Sequence, residues 1–249
     1  MGYGDHREIG GWHSPILGQH MPIVSYGYWG HPLLLFPTAA ADFLENERFG
    51  LIGAVDAALD AGRVRVFSIN SINNQAWMDG SLPVPEQARR QALYARYVEE
   101  EVAPYIRHAC QTPDLRIATT GASFGAFHAA NTLFRRPDLF DAVIAMSGFY
   151  DLEPDYLRGY SDDNCYFNNP AWYLPNLEGP TLRLLRTDCR IHILTGQGAY
   201  ESPDASRRLS EILHRKEIPH FLDLWGHDVD HDWPWWRKML PYAIDQMGW

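Results

Sequence analysis

Short apolar runs alternate with longer amphipathic stretches along the chain from residue 31 to the C-terminal end. Each run has the length and composition of a strand that is buried on both faces. Alternation of such strands with helices predicts an α/β fold, in which a mostly parallel sheet carries helices on both faces. The strand-like runs are HPLLLFP (31–37), VRVFSI (64–69), LRIATT (115–120), DAVIAMS (141–147), RIHILT (190–195) and PHFLDLW (219–225).

The amphipathic stretches predict the helices that cover this sheet. Residues 46–62 have helical periodicity and end in glycine, which predicts one helix. Residues 85–109 predict one long helix with a kink at Pro104, because proline cannot donate the helical hydrogen bond. Further predicted helices follow Ser123, cover residues 203–215 and begin near Pro234.

Two intervals depart from the alternation. Residues 7–28 combine alternating apolar positions with several glycines, which predicts one or two antiparallel strands at the edge of the sheet. Residues 151–189 are rich in Asp, Asn, Pro and Tyr and lack a long periodic run, so we expect an irregular insertion over the sheet. The sequence has no internal repeat, and the economical interpretation is a single domain over residues 1–249.

The charge balance restricts the partners of the chain. Lysine and arginine number 21 against 31 acidic residues, which gives a net charge of −10. Nucleic acids and anionic membrane surfaces require clustered positive charge, so neither is an expected partner. The expected partner is a small-molecule substrate, and a homo-oligomer is compatible with the sequence.

The cysteines and the N-terminal stretch bear on cellular location. Cys110, Cys165 and Cys189 are odd in number and lack metal-type spacing, so a disulfide framework is not expected. The N-terminal stretch has no apolar segment before a small-residue cleavage site, and no run is long enough to cross a bilayer. These features predict a cytoplasmic protein, and nothing in the sequence calls for a cofactor.

The main functional signal is Gly121-Ala122-Ser123-Phe124-Gly125. The pattern G-x-S-x-G also occurs by chance, but here an apolar strand-like run precedes it and a small-residue helical stretch follows. That context is the strand–turn–helix of a nucleophile elbow, in which a strained serine needs glycine two residues before and two residues after. We therefore predict that Ser123 is a nucleophile.

A serine nucleophile needs a base, which α/β-hydrolases supply after their last strand. The segment WGHDVDHDWPWW follows that strand and contains His227 and His231. Asp232 has the position of a helix N-cap and Pro234 that of a first-turn residue, so His231 ends the loop just before the terminal helix. His231 is the predicted base, with His227 as the alternative.

The acid of such a triad follows the preceding strand. The loop after RIHILT reaches Glu201 first, and Asp204 has the position of a helix N-cap or first-turn residue. Asp151, after the strand DAVIAMS, is a third candidate. Glu201 is the predicted acid, whose role is to orient the imidazole and to stabilise its protonated form.

Backbone amides are expected to stabilise the negative charge on the substrate oxygen. One donor is the residue after the nucleophile, Phe124, at the N-terminus of the following helix. The second should come from the loop after HPLLLFP, where Thr38 and Ala39 are the natural donors.

With these residues in place, most of the chain resembles the putative-esterase family of α/β-hydrolases, the esterase D-like and mycolyltransferase-like enzymes. The most specific matches are TGASFGAFHAANTLFRRPDLFDAVIAMSG and HDWPWW. The resemblance implies that Ser123 is the nucleophile and that His231, in the H-x-W pattern, is the base. Ala199 stands where many relatives would have Asp, so Glu201 takes the role of the acid. LLLFPT replaces the His-Gly pair that many hydrolases have at the oxyanion loop.

Three other functions use the same residues differently. His227 and His231, four apart among aspartates, would bind zinc on a helix, but Pro234 and the glycine and aspartate content disfavour a helix there. An acyltransferase would use the same triad on an alcohol other than water. A hydrolase fold without activity would be a binding module.

The sequence also predicts the class of substrate. The insertion, Trp77 and the loop carrying Trp233 supply many aromatic side chains and few cations, as in a site for neutral molecules. Trp77 is the predicted substrate-binding residue. No extended apolar lid helix is evident in the sequence, so we predict a carboxylesterase for small neutral esters with short acyl chains.

Overall fold

The computed structural model describes residues 6–249, and the beginning of the N-terminal stretch discussed above lies outside these residues. Within the described chain, eight strands form one sheet. The strands are β1 (Arg7–Ser14), β2 (Gln19–Tyr26), β3 (His31–Phe36), β4 (Val64–Ile69), β5 (Ile117–Ala122), β6 (Phe140–Met146), β7 (Arg190–Thr195) and β8 (Phe221–Leu224).

The strand order is β1-β2-β4-β3-β5-β6-β7-β8. β2 pairs antiparallel with both β1 and β4, and β1 is an edge strand, so the prediction of one or two antiparallel strands at the edge, from residues 7–28, is confirmed. β3 to β8 pair parallel to their neighbours. The loops that follow β3 to β8 therefore meet at one edge of the sheet, where α/β proteins place their binding sites.

The helices pack on both faces of the sheet, as predicted. They are α1 (Glu45–Arg48), α2 (Leu51–Ala54), α3 (Asp56–Asp60), α4 (Val84–Tyr97), α5 (Ala103–Ala109), α6 (Phe124–Arg135), α7 (Asp163–Tyr166), α8 (Pro170–Tyr173), α9 (Gly179–Thr187), α10 (Pro203–Arg215) and α11 (Trp233–Met247). The described part of the chain also has two π-helical turns (Val98–Val102 and Glu153–Leu157) and the 3-10 turns Asn73–Gln75 and Leu174–Asn176.

One helix prediction needs correction, and a second predicted helix contains an irregular turn. Residues 46–62 do not form one helix. They contain the end of α1, followed by α2 and α3, because Gly50, between α1 and α2, takes a left-handed conformation with φ of 75°. The stretch 85–109 is helical throughout, as predicted, and a π-helical turn (Val98–Val102) lies directly before α5, which contains Pro104. Pro104 has no N–H for the carbonyl one turn back, and a widened turn accommodates that loss.

Strand β3 shows why the strand-like runs are continuously apolar. Leu34 and Phe36 face one hydrophobic core, and Leu33 and Leu35 face the other. Since successive side chains of a strand point to opposite faces, a strand between two helix layers must be apolar at every position.

The interval 151–189 forms short helices and turns, the longest of which is α9. Tyr156, Tyr160 and Trp172 of this interval pack against a third cluster that contains Phe124 and Phe127 of α6, at the carboxyl edge of the sheet. The insertion is therefore part of the wall around that edge. Cys110, Cys165 and Cys189 are free thiols, and the search of the described residues found no helix that could span a membrane.

Candidate active site

Ser123 lies in the turn between β5 and α6, with φ of 57° and ψ of −121°. Positive φ is strained for a residue with a side chain, and it is the conformation that a nucleophile elbow requires. A Cβ on Gly121 would lie 2.6 Å from Gly125 O, and a Cβ on Gly125 would lie 2.7 Å from Phe36 O. Both glycines are thus required by close backbone packing, and Ser123 remains partly exposed.

The loop after β7 and the loop after β8 are joined by backbone hydrogen bonds. Gly198 N donates to Val229 O at 2.8 Å, and His231 N donates to Ala199 O at 2.9 Å. A Cβ on Gly196 would lie 2.1 Å from Val229 O, so only glycine permits this approach. The contacts bring the predicted acid and the predicted base, 30 residues apart in sequence, to one place.

Glu201 and His231 are in contact. His231 Nδ1 lies 3.4 Å from Glu201 Oε2, with the Glu201 side chain 0 % exposed and that of His231 24 % exposed. A carboxylate can only accept, so Nδ1–H is the donor and Nε2 is left to act as a base. Among the described residues no hydrogen bond joins Ser123 Oγ to His231, a contact that is often long in hydrolases without substrate.

The alternative acids and the alternative base lie elsewhere. Asp204 is exposed and pairs with Arg207 on α10. Asp151 accepts from Glu153 N and from Asn169 Nδ2 within the insertion. His227 is exposed. Residues 6–249 contain no group of three or more His, Cys, Asp and Glu side chains arranged to hold a metal ion.

Glu201 receives three further hydrogen bonds, from groups that sequence reasoning missed. Ser147 Oγ donates to Glu201 Oε1 at 2.6 Å, while Gly196 N and Thr195 Oγ1 donate at 3.1 and 3.2 Å. Trp236 Nε1 donates in turn to Ser147 Oγ at 3.0 Å, so the serine hydrogen is directed at the carboxylate. The position of Ser147 directly after β6 was the available signal, because that position follows a parallel strand at the same edge.

These donors determine the charge of Glu201. Burial by itself would raise the pKa of this carboxyl group. Hydrogen bonds from His231, Ser147 and Gly196, together with attraction to the charge of His231, outweigh burial and hold the pKa of Glu201 below its ordinary value. The carboxylate is therefore ionised at neutral pH, as the partner of an imidazolium must be.

We expect Glu201→Gln to lower kcat by about 10²- to 10⁴-fold, since a glutamine can hold the ring in the wrong tautomer and cannot stabilise its positive charge. Asp204→Asn, three residues later in the chain but exposed, is the matched control and should change kcat by less than about twofold. Steady-state hydrolysis of p-nitrophenyl acetate measures both. Equal losses in the two variants would remove Glu201 from the acid position.

The lowered pKa of Glu201 also has a consequence for stability. Because the pKa is lower in the folded state, the ionised group stabilises the fold above its unfolded pKa, near 4.5, and this contribution is lost as pH falls through the folded pKa. We expect the unfolding free energy of the wild type to exceed that of Glu201→Gln at pH 7, and the difference to shrink below about pH 4.5. Urea titrations between pH 3 and pH 7 measure it, and a difference that widens on acidification would contradict the assignment.

The structure changes the prediction for the oxyanion donors. Phe124 is the first residue of α6, so its amide has no acceptor one turn back and can donate to a substrate oxygen. Thr38 N donates to Glu45 Oε2 at 2.8 Å, and this amide is therefore occupied. Among the described residues Ala39 N has no hydrogen-bond acceptor, so Ala39 is the donor that we retain.

The prediction for Trp77 also needs correction. Its side chain is 3 % exposed and belongs to the third hydrophobic cluster. Its ring lies 6.0 Å from that of Tyr156, which contacts Phe124 beside the nucleophile. Trp77 therefore supports the wall of the site from behind and has almost no surface for a substrate. Spacing in the sequence could not distinguish a position behind the wall from a position on its surface.

A second aromatic group lies on the base loop. Trp233 stacks on Phe49 at 4.7 Å with the ring planes 9° apart, and it contacts Trp236 edge to face. Trp236 in turn packs edge to face against His231 at 5.1 Å. The predicted N-cap is confirmed, since Asp232 accepts from Trp233 N at 2.7 Å. The predicted base, His231, is thus held between the helix start and an aromatic side chain.

The strand order, the serine on a strained turn after β5 and the acid and base loops after β7 and β8 define an α/β-hydrolase. Solved structures with this fold include a ferulic acid esterase (TM-score 0.74, 18% identical, covering 96% of this chain and 97% of that chain). An S-formylglutathione hydrolase from Agrobacterium tumefaciens has a TM-score of 0.73 at 15% identity, covering 98% and 93%. MPT51 from Mycobacterium tuberculosis has a TM-score of 0.68 at 16% identity, covering 96% and 97%.

A family model described as "Putative esterase" matches residues 57–247, and the chain belongs to this family. It is accordingly a serine hydrolase that acts on ester bonds. No curated protein matches the chain. The resemblance inferred from TGASFGAF and HDWPWW is confirmed at the level of the family.

Proposed function

We propose that the protein is a carboxylesterase that hydrolyses small neutral esters through Ser123, His231 and Glu201. The observation that carries the proposal is the contact between Glu201 and His231 at the sheet edge where Ser123 occupies its strained turn. A buried carboxylate on Nδ1 leaves Nε2 of the imidazole free to take a proton from the serine.

In the proposed reaction Ser123 Oγ attacks the ester carbonyl carbon and His231 Nε2 takes the serine proton. The carbonyl oxygen becomes an oxyanion that accepts hydrogen bonds from the amides of Phe124 and Ala39. Collapse of this intermediate breaks the bond to the alcohol oxygen, which receives the proton from His231. Water then attacks the acyl-enzyme with His231 again as the base, and the carboxylic acid leaves.

The walls of the site support a neutral substrate with a short acyl chain. Phe124, Phe149 and Tyr156 form one aromatic group. Phe49, directly after α1, stacks on Trp233, the first residue of α11 after the base loop, and forms a second group. The net charge of −10 disfavours polyanionic substrates. Within the described residues, no helix of the insertion is longer than the nine-residue α9, which is short for a lid over a long acyl chain.

A panel of p-nitrophenyl esters from acetate to palmitate tests the chain-length proposal. We expect kcat/KM to be highest for acetate to butyrate and to fall by more than about tenfold at decanoate and beyond, because a short cleft cannot cover the longer chains. Highest activity on palmitate would contradict the proposal. Labelling of Ser123 without hydrolysis of any ester would indicate acyl transfer to another alcohol.

The remaining expectations stay predictions. A cytoplasmic location agrees with the three free thiols, which a reducing compartment would preserve. The single domain agrees with one sheet that draws strands from the whole described chain.

A further inference from the structure

We propose that Asn73 and His128 are positioning residues that fix the second oxyanion donor, the amide of Ala39, relative to the nucleophile helix α6. The proposal rests on the proposed esterase function, because the oxyanion hole belongs to that reaction. Neither Asn73 nor His128 touches the substrate, and both act through the loop after β3.

The peptide group between Thr38 and Ala39 is held by its two neighbours along the chain. On one side, Thr38 donates its amide to Glu45 Oε2 at 2.8 Å and its hydroxyl to Glu45 Oε1 at 2.7 Å. On the other side, Ala39 O accepts from Asn73 Nδ2 at 2.5 Å and from Ser71 Oγ at 3.2 Å. Peptide groups are planar and two dihedrals join each pair, so restraining both neighbours restrains the direction of Ala39 N–H.

Donor and acceptor chemistry fixes the direction of the two hydrogen bonds that connect Ala39, Asn73 and His128. A carbonyl oxygen only accepts, so the Asn73 atom that faces Ala39 O is the amide nitrogen. Asn73 Oδ1 then faces His128 Nε2 at 2.9 Å, and His128 must carry its proton on Nε2. His128 thereby orients the Asn73 amide, and the Asn73 amide orients the carbonyl of Ala39.

Burial makes this chain rigid. Asn73 is 0 % exposed and His128 is 2 % exposed. The His128 ring stacks against Phe124 at 5.2 Å and against Phe36 at 5.8 Å. Burial lowers the pKa of His128 to about 3, so the ring is neutral at the pH of an esterase assay and keeps a fixed number of donors.

The arrangement would affect catalysis because His128 is close to the nucleophile along the chain. His128 lies on α6, five residues after Ser123, which directly precedes that helix, whereas Asn73 lies in the loop after β4. Asn73 and His128 therefore link the oxyanion loop to α6, which begins with the first donor, Phe124, directly after the nucleophile. A shift of the loop relative to α6 would misplace Ala39 N–H by a fraction of an ångström, which is enough to weaken transition-state binding.

Asn73→Asp tests the proposal, because it keeps the shape and the acceptor for His128 but removes the donor to Ala39 O. We expect kcat per active site to fall by about 10- to 100-fold and KM to stay within about twofold, since the oxyanion forms after substrate binding. The inhibition constant of an alkylboronic acid, whose tetrahedral adduct uses the oxyanion hole, should rise by the same factor as kcat falls. Active sites are counted by end-point reaction with a fluorophosphonate.

Asn131→Asp is the matched control. Asn131 is 2 % exposed, lies three residues after His128 on α6 and bonds to Asn168 and Tyr173 of the insertion, away from the oxyanion loop. The same substitution at equal burial should leave kcat per titrated site and boronate inhibition unchanged, whatever it does to the melting temperature. A purely structural role of Asn73 predicts the same result for both variants.

The histidine is tested by two replacements. His128→Gln can still present an N–H to Asn73 Oδ1 and should retain most of the activity, whereas His128→Met cannot and should resemble Asn73→Asp. Normal kcat per site in Asn73→Asp, with the wild type labelled at Ser123, would overturn this inference and leave the proposed function in place. A wild type that is neither labelled nor active would overturn both.

Discussion

Ser123→Ala is expected to lower kcat/KM for p-nitrophenyl acetate by about 10⁴- to 10⁶-fold, the range found when a triad nucleophile is removed. The reason is that no covalent acyl-enzyme can form, while the oxyanion donors and the binding surface remain. The fold should survive, since Ser123 is partly exposed and alanine fills less space. Steady-state kinetics with highly purified protein measures the loss.

The chain offers a matched control for this variant. Ser210 Oγ lies 2.7 Å from His220 Nε2 on another part of the surface, so it is a serine in direct contact with a histidine. Ser210 lies within α10 rather than on a strained turn, and His220 Nδ1 contacts a backbone carbonyl instead of a carboxylate. Ser210→Ala should therefore leave kcat/KM unchanged. Loss of activity in Ser210→Ala with retention in Ser123→Ala would move the active site.

His231→Ala is expected to lower kcat by about 10⁴-fold or more, because the serine then loses the base that accepts its proton. His227→Ala is the control, four residues earlier in the same loop but exposed. It should retain kcat within about twofold. A chelator should have no effect on the wild type, since this mechanism needs no metal ion.

The opposite ranking of the two histidine variants would show that the register of the base loop is wrong. It would require His227 to reach Glu201 in place of the ring that lies 3.4 Å from it. Inactivation by chelators, with both variants impaired, would instead favour the metal site that His227 and His231 suggested.

The parts of the site that the sequence predicts are local. The elbow depends on Gly121 and Gly125, whose absent side chains leave room for contacts within a few residues of Ser123 and with the end of β3. The helix start after His231 depends on Asp232, which caps the next residue. Each of these features involves residue types whose strong backbone preferences are visible in the sequence itself.

The parts that the sequence does not predict depend on side-chain contacts that form only in the folded chain. The sequence does not distinguish Thr38 from Ala39, because the loop pattern does not show that Glu45 accepts a hydrogen bond from the Thr38 amide. Trp77 is an aromatic residue of the kind that lines binding sites, but its side chain packs inside a cluster formed with the insertion. Hydrophobic periodicity describes one element at a time, so it cannot show which side chain the insertion covers.

The sequence also does not predict the contact of Ser147 with Glu201 or the division of residues 46–62 into separate helices. Ser147 supports Glu201 from a different strand, and only the parallel pairing of β6 with β7 brings them together. Gly50 breaks a stretch whose apolar positions still follow helical spacing, because a left-handed glycine changes the backbone without changing the pattern. A glycine within a helical pattern was the local signal for that break.

In the proposed reaction Ser123 carries the acyl group during turnover. Mass spectrometry can locate that group in peptides from enzyme quenched during hydrolysis of p-nitrophenyl butyrate, and can locate the label in enzyme treated with a fluorophosphonate. We expect a butyryl group in the first sample and a phosphonyl group in the second, both on the peptide that contains Ser123 and both absent from Ser123→Ala. Either adduct on a different residue, or hydrolysis at the wild-type rate by Ser123→Ala, would contradict it.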